Sequence, residues 1–256
     1  TRFTVLFVAV AAALAQACGG SPVRPTALPP VASVPSDPAP PPSPSPPPSP
    51  PAPVVTLERT RFLAFGDSMT DGQSAVSSRY SLDPVTSYPS MLRQMLVERY
   101  PTQTIQVENA GRSGEWAADG QYRLRDELAR YQPEVLLLME GANDLAALGE
   151  AGMDPATAAI EAMVAEAGRG GVVVLLATLP PQGPGGSRAS FIELLPAYND
   201  WMRRIARERG ATLVDVHAAL EGDLSLLSAD GLHPTVDGYR AIAQAFADAI
   251  IQVLQR

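Results

Sequence analysis

From Arg61 onward, short apolar runs alternate with longer segments of helical period, the pattern of βα units around a parallel sheet. Strands are predicted at Arg61 to Phe65, Ile105 to Asn109, Glu134 to Glu140, Val172 to Thr178 and Thr212 to Val216. Helices are predicted over Tyr88 to Tyr100, Glu115 to Tyr131, Pro155 to Arg169, Phe191 to Arg209 and Thr235 to Leu254. Leu92, Met95 and Leu96 stand at i, i+3 and i+4 and form a buried stripe, with Arg99 at its rim. The run Val135-Leu136-Leu137-Leu138-Met139 is apolar without alternation, as a central parallel strand covered by helices on both faces requires. The pattern is that of an α/β domain with five strands. In an open sheet of this kind the ligand crevice lies beyond the carboxyl ends of the strands. Ser68, Gly114 and Asn143 follow the first three predicted strands, and His233 precedes the last helix. Topology alone therefore sends four polar loops to one rim.

The front of the chain has no such alternation. Phe3 to Ala17 is an apolar run preceded by Arg2, too short to span a bilayer comfortably and followed by small residues, like the hydrophobic region of a signal peptide. Leu14 to Gly20 resembles the cleavage region of bacterial lipoproteins, which implies lipidation of Cys18; Gln16 departs from that pattern, and ordinary cleavage after Ala17 is the alternative. Sixteen of the 26 prolines lie between Pro22 and Pro53, a composition that predicts a polyproline II tether. At about 3.1 Å per residue such a tether reaches on the order of 100 Å. The expected organisation is an export segment over residues 1–18, a proline-rich tether over 19–59 and a catalytic domain over 60–256. Export to the periplasm or cell surface follows, with a lipid anchor as the sole link to the membrane.

Composition narrows the chemistry of the body. The front carries Arg2, Arg24 and Asp37, a net +1, so the body holds −9 of the formal −8 charge, a sign that opposes binding to phosphate backbones. Nucleic acid is excluded as an expected partner. The chain contains no lysine, which removes Schiff bases, Ser-Lys dyads and a P-loop lysine. Cys18 is the one cysteine, so the body has no disulfide, thiol nucleophile or cysteine-bound zinc. His217 and His233 are the two histidines, too few for a histidine-rich metal site. Oxygen nucleophiles and carboxylates remain.

Gly66-Asp67-Ser68-Met69-Thr70 places a serine directly after the first strand. A serine hydroxyl is a poor nucleophile until a base takes its proton. Asp230-Gly231-Leu232-His233 supplies that base: three-residue spacing in a turn lets the carboxylate reach Nδ1 while Nε2 faces outward. Gly114 N–H, the Asn143 side-chain amide and Ser68 N–H are candidate donors to an oxyanion. Each segment has a plainer reading alone, with Ser68 and Asn143 capping helices, Gly111 to Gly114 forming a turn, and Asp230 and His233 solvated at a helix entry. Thr70 stands where the Gly-x-Ser-x-Gly elbow needs its second glycine, which disfavours the ordinary α/β-hydrolase arrangement. His217, two residues after Asp215, is the rival base, and its expected place is the rim of the fifth strand.

Taken together, Gly66-Asp67-Ser68, Asn109 to Gly114, Gly141 to Asp144 and Asp230 to His233 resemble the four ordered blocks of the SGNH, or GDSL-type, hydrolases, over about Thr60 to Ala249. The resemblance implies Ser68 as nucleophile, His233 as general base and acid, Asp230 as its orienting partner, and Gly114 and Asn143 as oxyanion donors with Ser68. It implies a flavodoxin-like three-layer α/β/α sandwich with a five-stranded parallel sheet, and no metal or organic cofactor. Met69 replaces the family's namesake leucine, and Glu115 stands where relatives often have aspartate. The expected activity is hydrolysis of a carboxylic ester through an acyl-enzyme, on a small-molecule, lipid or acylated-sugar ester. An acyltransferase using the same residues and a non-catalytic binding lipoprotein are the rival readings. The segment Leu179 to Arg188 is expected to be a mobile loop near the rim, able to shape an acyl pocket.

Overall fold

The computed structural model describes residues 55–76 and 79–256. The residues expected to form an export segment, nearly all of those expected to form a tether, and Cys18 lie outside the described residues. The strands are β1 (Arg61–Gly66), β2 (Gln73–Val76), β3 (Arg79–Leu82), β4 (Gln106–Gly111), β5 (Val135–Met139), β6 (Val173–Ala177) and β7 (Thr212–Val214). The helices are α1 (Ser68–Asp71), α2 (Tyr88–Arg99), α3 (Ala117–Tyr131), α4 (Ala142–Leu148), α5 (Met153–Arg169), α6 (Leu195–Arg209), α7 (Val216–Leu220) and α8 (Val236–Leu254). All five predicted main strands form one parallel sheet in the order β4-β1-β5-β6-β7. Strand order reverses beside β1, at the position where doubly wound sheets open a crevice.

Helices cover both faces. On one side α2 packs against α8, with Tyr88 stacked on Phe246 at 5.1 Å between ring centroids; on the other, α3 packs on α5 and α5 on α6. All five residues of β5 are fully buried between these layers, which explains their unbroken apolarity. Each such side chain contributes about 1.5–3 kcal/mol by leaving water. Leu92 and Leu96 of α2 are likewise fully buried, while Arg99 reaches the rim and donates to Gln255 Oε1.

The packed unit begins before residue 60. Leu57 is buried and bridges to Gln255, and its backbone exchanges two hydrogen bonds with the Gln103 side chain at 2.7 and 2.9 Å. A proline-rich composition therefore gives way to the folded domain at Val55 to Glu58, where the chain pairs with its own carboxyl terminus.

Three differences from the hydrophobic pattern have local causes. The β2–β3 hairpin, paired antiparallel apart from the main sheet, lies in a stretch whose residues carry no run of apolar alternation. Helix α3 starts at Ala117 because the preceding residues form the turn that holds Gly114 at φ +80°. β7 stops at Val214 because the Asp215 carboxylate accepts from Ala218 N and caps α7.

Candidate active site

The register aligns the ends of three strands. Gly66 of β1 pairs with Gly111 of β4 on one side and with Met139 of β5 on the other, so the loops bearing Ser68, Gly114 and Asn143 start at one level. After Gly66 the chain turns at once into α1, where the Asp67 carboxylate accepts from Met69 N at 2.9 Å. That bond caps the short helix and leaves Ser68 as its first residue. Capping is thus done by Asp67, not by the serine.

Ser68 Oγ lies 2.8 Å from His233 Nε2, and His233 Nδ1 lies 2.5 Å from Asp230 Oδ2. The three side chains come from segments 165 residues apart and form a continuous hydrogen-bonded chain. Asp230 Oδ1 accepts from the backbone N–H groups of Leu232 and His233 at 3.1 and 3.0 Å, which fixes the carboxylate against its own turn. Burial alone would raise the Asp230 pKa, but the His233 ring and these two N–H groups hold it below the usual carboxylate range. With Asp230 ionised, the proton of the neutral imidazole belongs on Nδ1, and Nε2 presents its lone pair to Ser68.

The loop after β4 places Gly114 exposed, in left-handed backbone, with nothing near its missing side chain. The Asn143 side chain does not cap α4; its Nδ2 donates to Glu115 O at 2.8 Å, which ties the third loop to the second. One amide N–H of Asn143 remains for another acceptor. Asp144 reinforces the same junction by accepting from Ala117 N at 2.9 Å. His217 stands apart from the group: β7 has already ended, Asp215 is engaged by Arg203, and His217 N donates to Thr178 Oγ1 within α7.

The segment after β6 is pinned. Gly183 N donates to Gly231 O and Arg188 N to Asp230 O, each at 2.8 Å, while the buried Gln182 side chain bridges Arg188 O and Phe191 N. The segment expected to be mobile from its Gly and Pro content is thus tied by backbone bonds to the Asp230 turn. Gly186 lies so close that a Cβ there would meet Asp230 O at 2.3 Å. Gly186→Ala is therefore expected to displace that turn, lowering Tm by about 2–10 °C through a clash of roughly 1–3 kcal/mol and lowering kcat on an ester substrate. A thermal melt and a rate measurement on one sample check both effects.

Beneath the site lies a group of carboxyls that sequence reading passed over. Asp67 and Glu140 each stand one residue beyond the paired Gly66 and Met139, so the register sets them side by side. Both are buried, and among the described residues Asp67 Oδ2 and both Glu140 carboxyl oxygens are the buried side-chain atoms without a hydrogen-bond partner. Burial, offset in part by the Met69 N–H, pushes Asp67 up to about 6. Burial first, and then the charges of Asp67, Glu115 and Asp144, raises Glu140 well above the ordinary range; Arg123 opposes this weakly because it is committed to Glu115. An acidic residue ending an apolar strand was the signal available in the sequence.

A folded-state pKa raised above the unfolded value gives stability that is full below the unfolded pKa and lost as pH climbs to the folded one. Glu140 should thus make stability fall by about 1.4 kcal/mol per pH unit from near 4.5 upward, until its raised pKa is reached. Glu140→Gln removes this slope, and its amide can donate to Asp67 Oδ2. Melting curves from pH 4 to 9 should show the variant gaining on the native protein as pH rises; parallel curves would refute the assignment.

A model of the GDSL-like Lipase/Acylhydrolase family matches residues 64–241. A multidomain esterase of Ruminococcus flavefaciens is 23% identical over 128 residues, 49% of this chain but 16% of that protein's length. The crystal structure of a lipase/acylhydrolase from Enterococcus faecalis superposes with a TM-score of 0.63 at 23% identity, covering 76% of this chain and 97% of that one. Axe2, an acetylxylan esterase from Geobacillus stearothermophilus, gives a TM-score of 0.62 at 25% identity over 76% of this chain and 94% of its own. These structures share the three-layer fold with its five-stranded parallel sheet. Because the family model spans well over half the sequence, the chain belongs to the GDSL-like lipase/acylhydrolase family, whose chemistry is ester hydrolysis.

Proposed function

We propose that this protein is an exported carboxylic-ester hydrolase in which Ser68, His233 and Asp230 act as nucleophile, general base and acid, and orienting carboxylate. The observation that carries the reading is the unbroken chain from Ser68 Oγ through the imidazole to Asp230, at 2.8 and 2.5 Å. His233 Nε2 takes the hydroxyl proton as Oγ bonds to the ester carbonyl carbon, and the carbonyl π pair moves onto oxygen. Ser68 N–H, Gly114 N–H and the free Asn143 amide N–H are the donors assigned to that oxyanion. Collapse of the adduct breaks the bond to the leaving alcohol, which receives the proton from Nε2. Water then repeats the sequence on the acyl-enzyme, releasing the acid and restoring the serine.

Esterase chemistry in the named relatives supports this reading. The apolar run ahead of Cys18 and the proline-rich stretch after it support export and tethering by a lipid on that cysteine. A panel of aryl esters of graded acyl length tests the activity, and product analysis with an added acceptor alcohol separates hydrolysis from acyl transfer. Turnover is expected on at least the shortest ester; none on any member would contradict the proposal.

A further inference from the structure

Next to the candidate oxyanion donor Asn143 lies a cavity of about 400 Å³, lined by Trp116, Asn143, Ala146, Ala147, Ser187, Arg188 and Ser190. Its walls come from three loops: Trp116 caps α3 after the β4 loop, Ala146 and Ala147 belong to α4, and Ser187 to Ser190 follow β6. The apolar part is an indole and two alanine methyls. The charged part is Arg188 alone.

Arg112 of the β4 loop and Arg123 of α3 are committed: Arg123 to Glu115 and Glu127, and Arg112 to Glu115 at 3.5 Å. Arg188 differs. Its backbone is fixed at both N and O, by Asp230 O and Gln182 Nε2, and the residue is half-buried, yet its guanidinium has no ion pair or hydrogen bond among the described residues. The buried carboxylates nearest in sequence to the other walls, Glu115 and Asp144, already bond Arg123 and Ala117 N. In a body of net charge −9, an uncommitted cation on a pinned loop, lining a recess that mixes an indole and two alanine methyls with serine and amide groups, offers a place for an anion.

From this we infer that the cavity is the acyl subsite and that it selects esters whose acyl group ends in a carboxylate, held by Arg188 with its stem against Trp116 and the alanines. This rests on the esterase reading above. The side of the ester is set by the chemistry: the leaving oxygen must face His233 to receive its proton, whereas the cavity borders the oxyanion donor and is not lined by His233 or its turn. A planar guanidinium suits a carboxylate bidentately, and a short apolar stem matches the walls.

The test uses the 4-nitrophenyl monoester of succinic acid and its neutral counterpart, in which the free carboxyl is a methyl ester. Their binding is measured by calorimetry on the full chain carrying Ser68→Ala, alone and with Arg188→Gln or Arg188→Lys added, and their turnover on the protein with Ser68 intact. The single variant is expected to bind the anionic ester about tenfold or more tightly than the neutral one, with the ratio falling as salt rises. Arg188→Gln should bring that ratio to one or below, and Arg188→Lys should retain part of it. Equal affinity for the two esters, or a preference that survives Arg188→Gln, overturns the inference. Failure to turn over the anionic ester by a protein that hydrolyses members of the graded panel also overturns the inference, whereas absence of turnover on these two esters and on every member of the panel would instead overturn the esterase reading, which the binding ratio does not depend on.

Discussion

Ser68→Ala is expected to lower kcat/KM for a short aryl ester by a factor of about 10⁴ or more, while Tm moves by no more than a few degrees. Removing the hydroxyl removes the covalent route, and water must then attack with only the oxyanion donors to help. The fold should not notice. The hydroxyl hydrogen-bonds to His233 Nε2, and the cap that shapes this turn is made by Asp67. Steady-state rates alongside a thermal melt separate the two effects, and a rate within tenfold of the native one would remove Ser68 from the mechanism.

Asp230→Asn should cost a comparable factor, about 10⁴ in kcat, for a different reason. The asparagine can keep its oxygen on the N–H groups of Leu232 and His233, so the turn survives. Its amide nitrogen then faces His233 Nδ1 and donates to it. The imidazole must carry its proton on Nε2, directed at Ser68 Oγ, and has no lone pair there to accept the serine's proton. Loss of the carboxylate also leaves the imidazolium of the transition state without its counter-charge inside a buried site. Expected results are a large fall in kcat, a modest change in KM and a Tm close to native. A variant that keeps its rate would mean that Asp230 holds the turn and nothing more.

These two effects involve residues that sequence alone brought to one rim, and the reason is topological. A run such as Val135 to Met139 fits a doubly covered strand, and once the five strands are arranged in parallel their following loops share an edge. Ser68, Gly114 and Asn143 are each within a few residues of a strand end, so small errors in strand bounds do not move them far. His233 is fixed by a different signal, its three-residue spacing from Asp230 ahead of Pro234. What composition hid were contacts between loops. Proline and glycine between Pro180 and Gly186 read as freedom, whereas the absence of side chains at Gly183 and Gly186 is what lets this backbone lie directly on the Asp230 turn.

Asn143 and Trp116 show the same limit from another side. A lone asparagine after a strand reads as a cap, and only the approach of the β4 loop supplies Glu115 O as its acceptor. Sequence alone leaves Trp116 open between a core position and the lining of an acyl or sugar site, and in the structure it is half-buried and forms a wall of the cavity beside Asn143. Glu140 was read as the last residue of its strand and stands one residue beyond it, and its proximity to Asp67 depends on the β1–β5 register, which the pattern does not specify.

Labelling with an aryl fluorophosphonate, followed by peptide mass mapping, tests the central claim most directly. Attack by an activated serine oxygen on phosphorus expels fluoride and leaves a stable adduct. The account predicts one adduct per chain on the peptide containing Ser68, absent in Ser68→Ala and greatly slowed in His233→Ala. An adduct on another residue, or labelling at Ser68 that proceeds unchanged without His233, would contradict it.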